Sequence, residues 1–154
     1  MTWSLKLHNG DLVIGGSGLD VAANEIKMVQ DLRCQLLERM GHDVNHPEYG
    51  CLIDGGVGPD GTVYESIIAD DDWEMAKLRV QSEIVRVVSD YQRRQLDRAR
   101  LDKAQYGKQT LTPREIIANI SGITFTDSLD KLVVQVHLQT MSGDIESIDL
   151  NLNK

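Results

Sequence analysis

Two histidines, His42 and His46, lie with Glu48 and Cys51 inside ten residues. Imidazole, carboxylate and thiolate are all zinc ligands. Gly41 and Pro47 bracket the pair, so the two rings are not expected to share the helix face that an i,i+4 zinc motif requires. No Cys-x-x-Cys pair supports a closed site, and the stretch reads as a polar turn after a helix, with no metal assigned. A second candidate is the carboxylate group Glu65, Asp70, Asp71, Asp72 and Glu74. Glycoside hydrolysis needs two carboxyls roughly 5–9.5 Å apart across a cleft, one with a raised pKa. Acidic residues that open a helix have a simpler role, because they complement its dipole. Neither Gly15-Gly-Ser-Gly18 nor the Gly55–Gly61 stretch continues into the Gly-Lys-Ser/Thr of a phosphate-cradling loop. No catalytic residue and no cofactor is assigned.

Composition narrows the classes further. The chain has 154 residues, which suits one domain over 1–154, and its 24 acidic against 16 basic residues give a formal charge of −8. Nucleic acid is a poor main ligand for such a balance, since phosphate binding depends on Lys and Arg. No apolar run approaches the ~20 residues of a membrane span, and Met1-Thr-Trp-Ser-Leu lacks the basic and apolar regions of a signal peptide. The expected place of synthesis is the cytoplasm. Two cysteines, Cys34 and Cys51, do not make a disulfide framework, and Cys34 is expected to be a small buried residue.

The elements that must position these groups follow from periodicity. A β-hairpin is expected over 4–14, with Asn9-Gly10 as a type I′ turn that sets Leu7 against Leu12 and Leu5 against Ile14. One side of that ribbon would be apolar and buried. A helix over 21–40 would begin at Asp20 and stop at Gly41. Residues 41–72 read as an irregular loop region, with Thr62-Val-Tyr64 extended. A long helix over 73–100 opens on Asp70-Asp-Asp72 and carries the apolar stripe Val80, Ile84, Val87, Val88 and Tyr91. After Tyr91 the composition turns to arginine, and Arg93, Arg94, Arg98 and Arg100 are expected to have little to bury and to lie on a partner. Lys103 to Thr110 reads as a polar connection. Thr112-Pro-Arg-Glu115 fits a capping box before a short helical turn at Ile116 and Ile117.

The last quarter carries the strongest pattern, a three-stranded antiparallel meander over 122–152 that begins at Ile123-Thr-Phe-Thr126. Lys131–Thr140 alternates, a Met141-Ser-Gly-Asp144 turn follows, and Ser147-Ile-Asp-Leu-Asn-Leu152 alternates again. Leu132, Val134, Val136 and Leu138 share one face, as do Ile148, Leu150 and Leu152. Ser147, Ile148, Asp149, Leu150, Asn151 and Leu152 would then form an edge strand, on which another chain can add a strand. The fold class is α+β.

The order of ribbon, helix, second long helix, Pro-Arg step and meander resembles the baseplate wedge or tail sheath initiator family of contractile-tailed phages, some of whose members were once described as tail lysozymes. His46-Pro-Glu-Tyr-Gly-Cys51 is similar to the family's Pro-aromatic-Gly step, through Pro47, Tyr49 and Gly50. The family's Glu-Pro-Arg triplet appears as Thr112-Pro113-Arg114, so Pro113 and Arg114 carry over and an acidic role at Thr112 does not. The resemblance implies a virion protein of the tail baseplate that nucleates the sheath by strand exchange. Its partners would be the tail sheath protein and other wedge or hub proteins, with the tail tube as a further candidate. Six copies per baseplate would follow from the resemblance alone.

A cell-wall-degrading glycosidase and a general adaptor that binds by strand addition are the competing classes. Purified protein incubated with peptidoglycan is expected to release no more reducing ends than buffer. Turnover that disappears in Glu65→Gln or Asp71→Asn would overturn the structural reading.

Overall fold

A computed structural model describes residues 3–8, 11–15, 18–69 and 71–153. The amino-terminal segment is a junction of three short ribbons, not one hairpin. Strands β1 (Trp3–Leu5), β2 (Leu7–His8), β3 (Asp11–Leu12), β4 (Ile14–Gly15), β5 (Gly18–Leu19) and β6 (Val21–Ala23) pair as β1 with β6, β2 with β3 and β4 with β5. At the centre Lys6 N donates to Asp20 O (2.9 Å), Asp20 N to Val13 O (2.9 Å) and Val13 N to Lys6 O (3.0 Å), closing a ring of backbone hydrogen bonds. Leu7 faces Leu12 as expected, whereas Leu5 meets Val21 and Ile14 meets Leu19. The expected pairing of Leu5 with Ile14 fails because the chain leaves β2 after Val13 to build a second ribbon. The Asn9-Gly10 turn lies outside the described residues. The apolar side of the ribbon is not buried either, for Ile14 is 77% and Val21 56% exposed.

Helix α1 spans Asn24–Leu37, shorter at both ends than the expected 21–40. Val21–Ala23 is drawn into pairing with β1, so Ala23, not Asp20, takes the cap position. At the other end Glu38 is extended and accepts from Cys51 N (2.8 Å), which turns the chain into β7 (Arg39–Met40). Gly41 has the left-handed φ of 77° expected of it, but it follows that strand and does not cap the helix.

The 41–72 region is more regular than its Gly and Asp content suggests. It contains β8 (Cys51–Val57), β9 (Val63–Tyr64) and a 3-10 turn at Ile67–Ala69. β8 runs parallel to β7 and antiparallel to β9, so the expected extension around Val63-Tyr64 is present. Gly56, at φ 149°, lets the two backbones approach, because a Cβ there would sit 2.5 Å from Met40 O.

Helix α2 runs from Trp73 to Tyr106, six residues beyond the expected end, and takes in Lys103. Asp72 caps it by accepting from Met75 N (3.1 Å), and Gly107 ends it in the left-handed conformation at φ 67°. Among the described residues no helix is long and apolar enough to cross a membrane. The carboxy-terminal sheet has the order β10 (Ile117–Asp127), β11 (Lys131–Thr140), β12 (Ile145–Asn153), both pairs antiparallel, and it begins earlier than the expected 122. The architecture is therefore α+β, with a strand-built entry, two helices and a three-stranded meander.

One core joins these parts. Val80, Ile84, Val87 and Val88 of α2, Met28, Leu32 and Leu36 of α1, and Cys51 and Ile53 of β8 pack with the inner residues of β11 and β12. Glu83 is the charged residue buried on this face of α2, only 7% exposed. It accepts from Leu52 N (2.8 Å) and from Arg86 Nε (2.9 Å) and Nη2 (2.6 Å), tying α2 to β8. Removing a charge so paired leaves its partners unmatched. Glu83→Ala is expected to lower stability by about 3 kcal/mol, measured as a lower denaturation midpoint at unchanged slope. An unchanged midpoint would mean that the α2–β8 contact is held by apolar packing alone.

Candidate functional site

The site is built from the carboxy-terminal sheet and the part of α2 that holds its first strand. Along β11, Leu132, Val134, Val136 and Leu138 are buried, and Ile148, Leu150 and Leu152 of β12 are buried opposite them. Leu132 meets Leu152, Val134 meets Leu150 and Val136 meets Ile148, as the alternation predicts. Ser147, Asp149 and Asn151 are exposed on the other face. Asp149 accepts there from Gln135 Nε2 (2.9 Å). The connecting turn is a compact polar knot. Thr140 N donates to Asp144 O (2.9 Å), Gly143 N to Thr140 O (3.0 Å) and Ser142 Oγ to the Asp144 carboxylate (2.7 Å).

The sheet's two outer strands are not equivalent. β10 carries irregularities of register between Ile117 and Asn119 and between Ile120 and Gly122, whereas β12 pairs residue for residue from Ile145 to Asn153. Among the described residues β12 pairs with β11 alone. Bulges twist an edge away from intruders, and a straight unbulged edge remains a template for pairing.

The start of β10 is fixed by two glutamines of α2. Gln95 Oε1 accepts from Ile117 N (3.1 Å) while its Nε2 donates to Glu115 O. Gln92 Nε2 donates to the carbonyls of Ile117 (2.9 Å) and Ala118 (3.0 Å). The expectation that the helix after Tyr91 has little to bury is therefore corrected, since Gln95 is 8% exposed. The signal was present as an i,i+3 glutamine pair continuing the apolar stripe, and an amide is the side chain that offers both a donor and an acceptor to a strand.

The turn before β10 differs from expectation as well. Thr112 N donates to Glu115 Oε2 (2.7 Å), the bond of a capping box, and Glu115 N to Thr112 O (2.9 Å). No helix follows, because Ile117 pairs at once with Thr140. Pro113 is exposed, and Arg114 Nε lies 3.6 Å from the Asp144 carboxylate, linking this turn to the β11–β12 turn.

A cleft of about 410 Å³ lies between α1 and α2, lined among others by Asp31, Tyr49, Tyr91, Arg94, Arg98 and Glu115. Tyr91 donates to Asp31 (3.3 Å), and Arg94 donates to Gln35 Oε1 (2.8 Å) with its guanidinium 6.0 Å from the centre of the Tyr91 ring. Burial pushes the Tyr49 hydroxyl up to about 12 and raises that of Tyr91 further. Gly50 follows at φ 100°, where a Cβ would meet Glu38 O at 2.8 Å. Thus Pro47-Glu-Tyr-Gly50 is the turn that passes the chain under the end of α1, and its Tyr and Gly have packing reasons for being there. Of the other arginines, Arg93 pairs with Asp90 (2.9 Å) and Arg100 with Asp97 (3.5 Å).

The remaining candidates are spread apart. His42 bonds Glu38, His46 bonds Asp43, and Cys51 Sγ donates to Leu36 O (2.9 Å) in the core, so burial raises its thiol to about 11. No group of three His, Cys, Asp or Glu side chains comes together among the described residues. Cys34 is half-buried, less enclosed than expected. Glu65 and Asp71 are exposed, Asp72 is the α2 cap and Glu74 pairs with Lys77 (2.9 Å), while Asp70 lies outside the described residues.

Comparison of the chain with protein-family models, curated proteins and solved structures gives no match. The geometry of the β12 edge and its support must therefore carry the functional argument. Gln95→Leu would take the acceptor from buried Ile117 N, at about 1–3 kcal/mol, and remove one donor to Glu115 O. It is expected to lower stability by about 2–4 kcal/mol, read by denaturant unfolding, and to loosen amide-exchange protection first at Ile117. Unchanged protection there would mean that the glutamine does not hold β10.

Proposed function

We propose that this protein is a structural component of a contractile-tail baseplate that starts sheath assembly by accepting a strand along β12. The observation that carries the reading is the unbulged outer edge of Ile145–Asn153, unpaired among the described residues, on a sheet whose inner face is locked into the core. Main-chain groups of an edge strand give affinity to an incoming segment, and alternate side chains set its register. Such a template needs no catalytic group. In this reading the sheath protein takes the β12 edge, and wedge or hub proteins take the arginine face of α2. Arg98 is the residue best suited to that second contact, since Arg94 bonds Gln35 and Arg93 and Arg100 pair along the helix itself. The resemblance in the order of elements supports the tail assignment, with the protein residing in the virion.

A general adaptor would use the same edge, and the two readings differ in the partner. Asn151 is exposed at the end of β12, so Asn151→Pro changes the strand's backbone without opening the core. Direct loss of one hydrogen bond costs only about 0.5–1.5 kcal/mol, and repetition around a ring multiplies it. The variant is expected to fold and to join the baseplate but to leave tubes without sheaths in electron micrographs. Normal sheaths on such particles would remove β12 from the mechanism.

A further inference from the structure

Helix α1 lies alongside β12 in the same direction. Glu25, in its first turn, acts electrostatically on Glu146 at the start of β12, and Leu36 and Leu37 share a hollow with Asn151, Leu152 and Asn153 at the end. Met28, Leu32, Gln35 and Leu36 turn into the core. The neighbouring ridge Glu25, Val29, Arg33, Leu37 repeats every four residues, with its first member beside Glu146 and its last on the hollow at Asn151–Asn153, so it follows the length of β12, which among the described residues has no strand on its outer side. Successive members of the ridge are about 6 Å apart along the helix. Alternate residues of a strand are about 6.6 Å apart. A strand added to β12 would thus set its inward residues one by one against this ridge.

The ridge is unfinished as it stands. Leu37 is 49% exposed, Ile26 at the other end of the helix 56%, and Val29 is half-buried. These apolar groups line a groove of about 670 Å³ whose far wall is Lys6 and Leu7 of the ribbon junction. The groove meets the hollow at the end of β12 through Leu37 and Glu38, which line both. At one end, Asn24 Oδ1 and Glu25 Oε2 are enclosed with no hydrogen-bond donor among the described residues, beside Glu146, which has the same charge as Glu25. Arg33 is exposed, and among the described residues it has no ion pair. Among the described residues the ridge therefore runs from acceptors lacking a donor, through apolar ground, to a cation lacking an anion.

We propose that the β12 edge and the Glu25–Val29–Arg33–Leu37 ridge together take one extended segment of a partner chain. Its inward residues are basic opposite Glu25, apolar opposite Val29, acidic opposite Arg33 and apolar opposite Leu37. The segment runs in either direction, since the ridge sets charge positions and not polarity of the chain. This inference rests on the strand-addition reading of β12 and adds to it the chemistry of the strand that fits.

Fluorescence anisotropy with the full-length protein at physiological salt tests it. The probes are labelled eight-residue peptides that alternate Thr with an inward series Lys, Val, Glu, Val or, for the opposite chain direction, Val, Glu, Val, Lys, and for each order two controls in which both charged positions are Lys or both are Glu. In one of the two orders the mixed peptide is expected to bind at least about five-fold tighter than either of its controls. In Arg33→Glu the preference should pass to the Lys/Lys peptide, with an unchanged circular dichroism spectrum. Equal affinity within both sets of three, no binding by any peptide, or an unaltered preference in Arg33→Glu would overturn the proposal. Asn151→Pro separates the two levels of the argument. Binding that Asn151→Pro abolishes but that ignores charge position keeps strand addition and removes the ridge. Charge-selective binding untouched by Asn151→Pro would put the segment on α1 alone and overturn the joint site.

Discussion

Burial of the sheet's inner face is the constraint on which the rest of the structure depends. Leu132, Val134, Val136 and Leu138 of β11 and Ile148, Leu150 and Leu152 of β12 close on Val80, Ile84, Val87 and Val88 of α2. Each such side chain contributes about 1.5–3 kcal/mol on burial. A slip of one residue would turn every one of them toward solvent and bring Ser147, Asp149 and Asn151 into the core. The register of β12 is therefore held far more strongly than any single hydrogen bond could hold it. A rigid edge follows from this. A segment that joins it meets backbone groups already in place, so the entropy cost of docking falls on the incoming chain.

Polar groups then decide where the helix sits on that face. An all-apolar stripe would let α2 slide along the sheet with little penalty. Gln92 and Gln95 prevent this, because their amides match particular backbone groups of Glu115, Ile117 and Ala118. Glu83 does the same against Leu52 of β8. A displaced helix would leave these donors and acceptors unpaired in the interior, at about 1–3 kcal/mol each. Burial supplies the attraction and the amides supply the position.

The parts of the fold legible in the sequence are those in which one local period dominates. The meander was readable because period two runs unbroken from Lys131 to Thr140 and again to Leu152. The body of α2 was readable from its stripe and its Asp72 cap. Its end was not, because the charged residues from Asp97 to Lys103 read equally well as helix or connection, and Gly107 alone marks the stop. β8 was missed because Asp54, Gly55 and Gly56 are turn residues by composition, and only the close backbone approach of Tyr64 to Gly55 and of Met40 to Gly56 explains the glycines. The three-ribbon junction was missed because its closing bonds join Lys6, Val13 and Asp20, residues seven apart with no common chemistry. Of the candidate site, the β12 face was legible and its support was not. The clamp depends on where α2 crosses β10, which is a tertiary fact.

An open edge also has to be kept from its own copies. Two β12 strands meeting antiparallel about Asp149 would set that carboxylate against its equivalent, and like charges directly opposite are destabilising. Asp149 cannot turn aside freely, since Gln135 holds it on the outer face. Glu146 and Asp144 add the same sign near the start of the strand, on a chain whose formal charge is −8. At β10 the protection is of a different kind, with bulges at Ile117–Asn119 and Ile120–Gly122 that break a regular ladder. One edge is thus guarded by shape against every strand, and the other by charge against strands like itself. Only the second kind of guard leaves the backbone available to a partner of the opposite charge pattern.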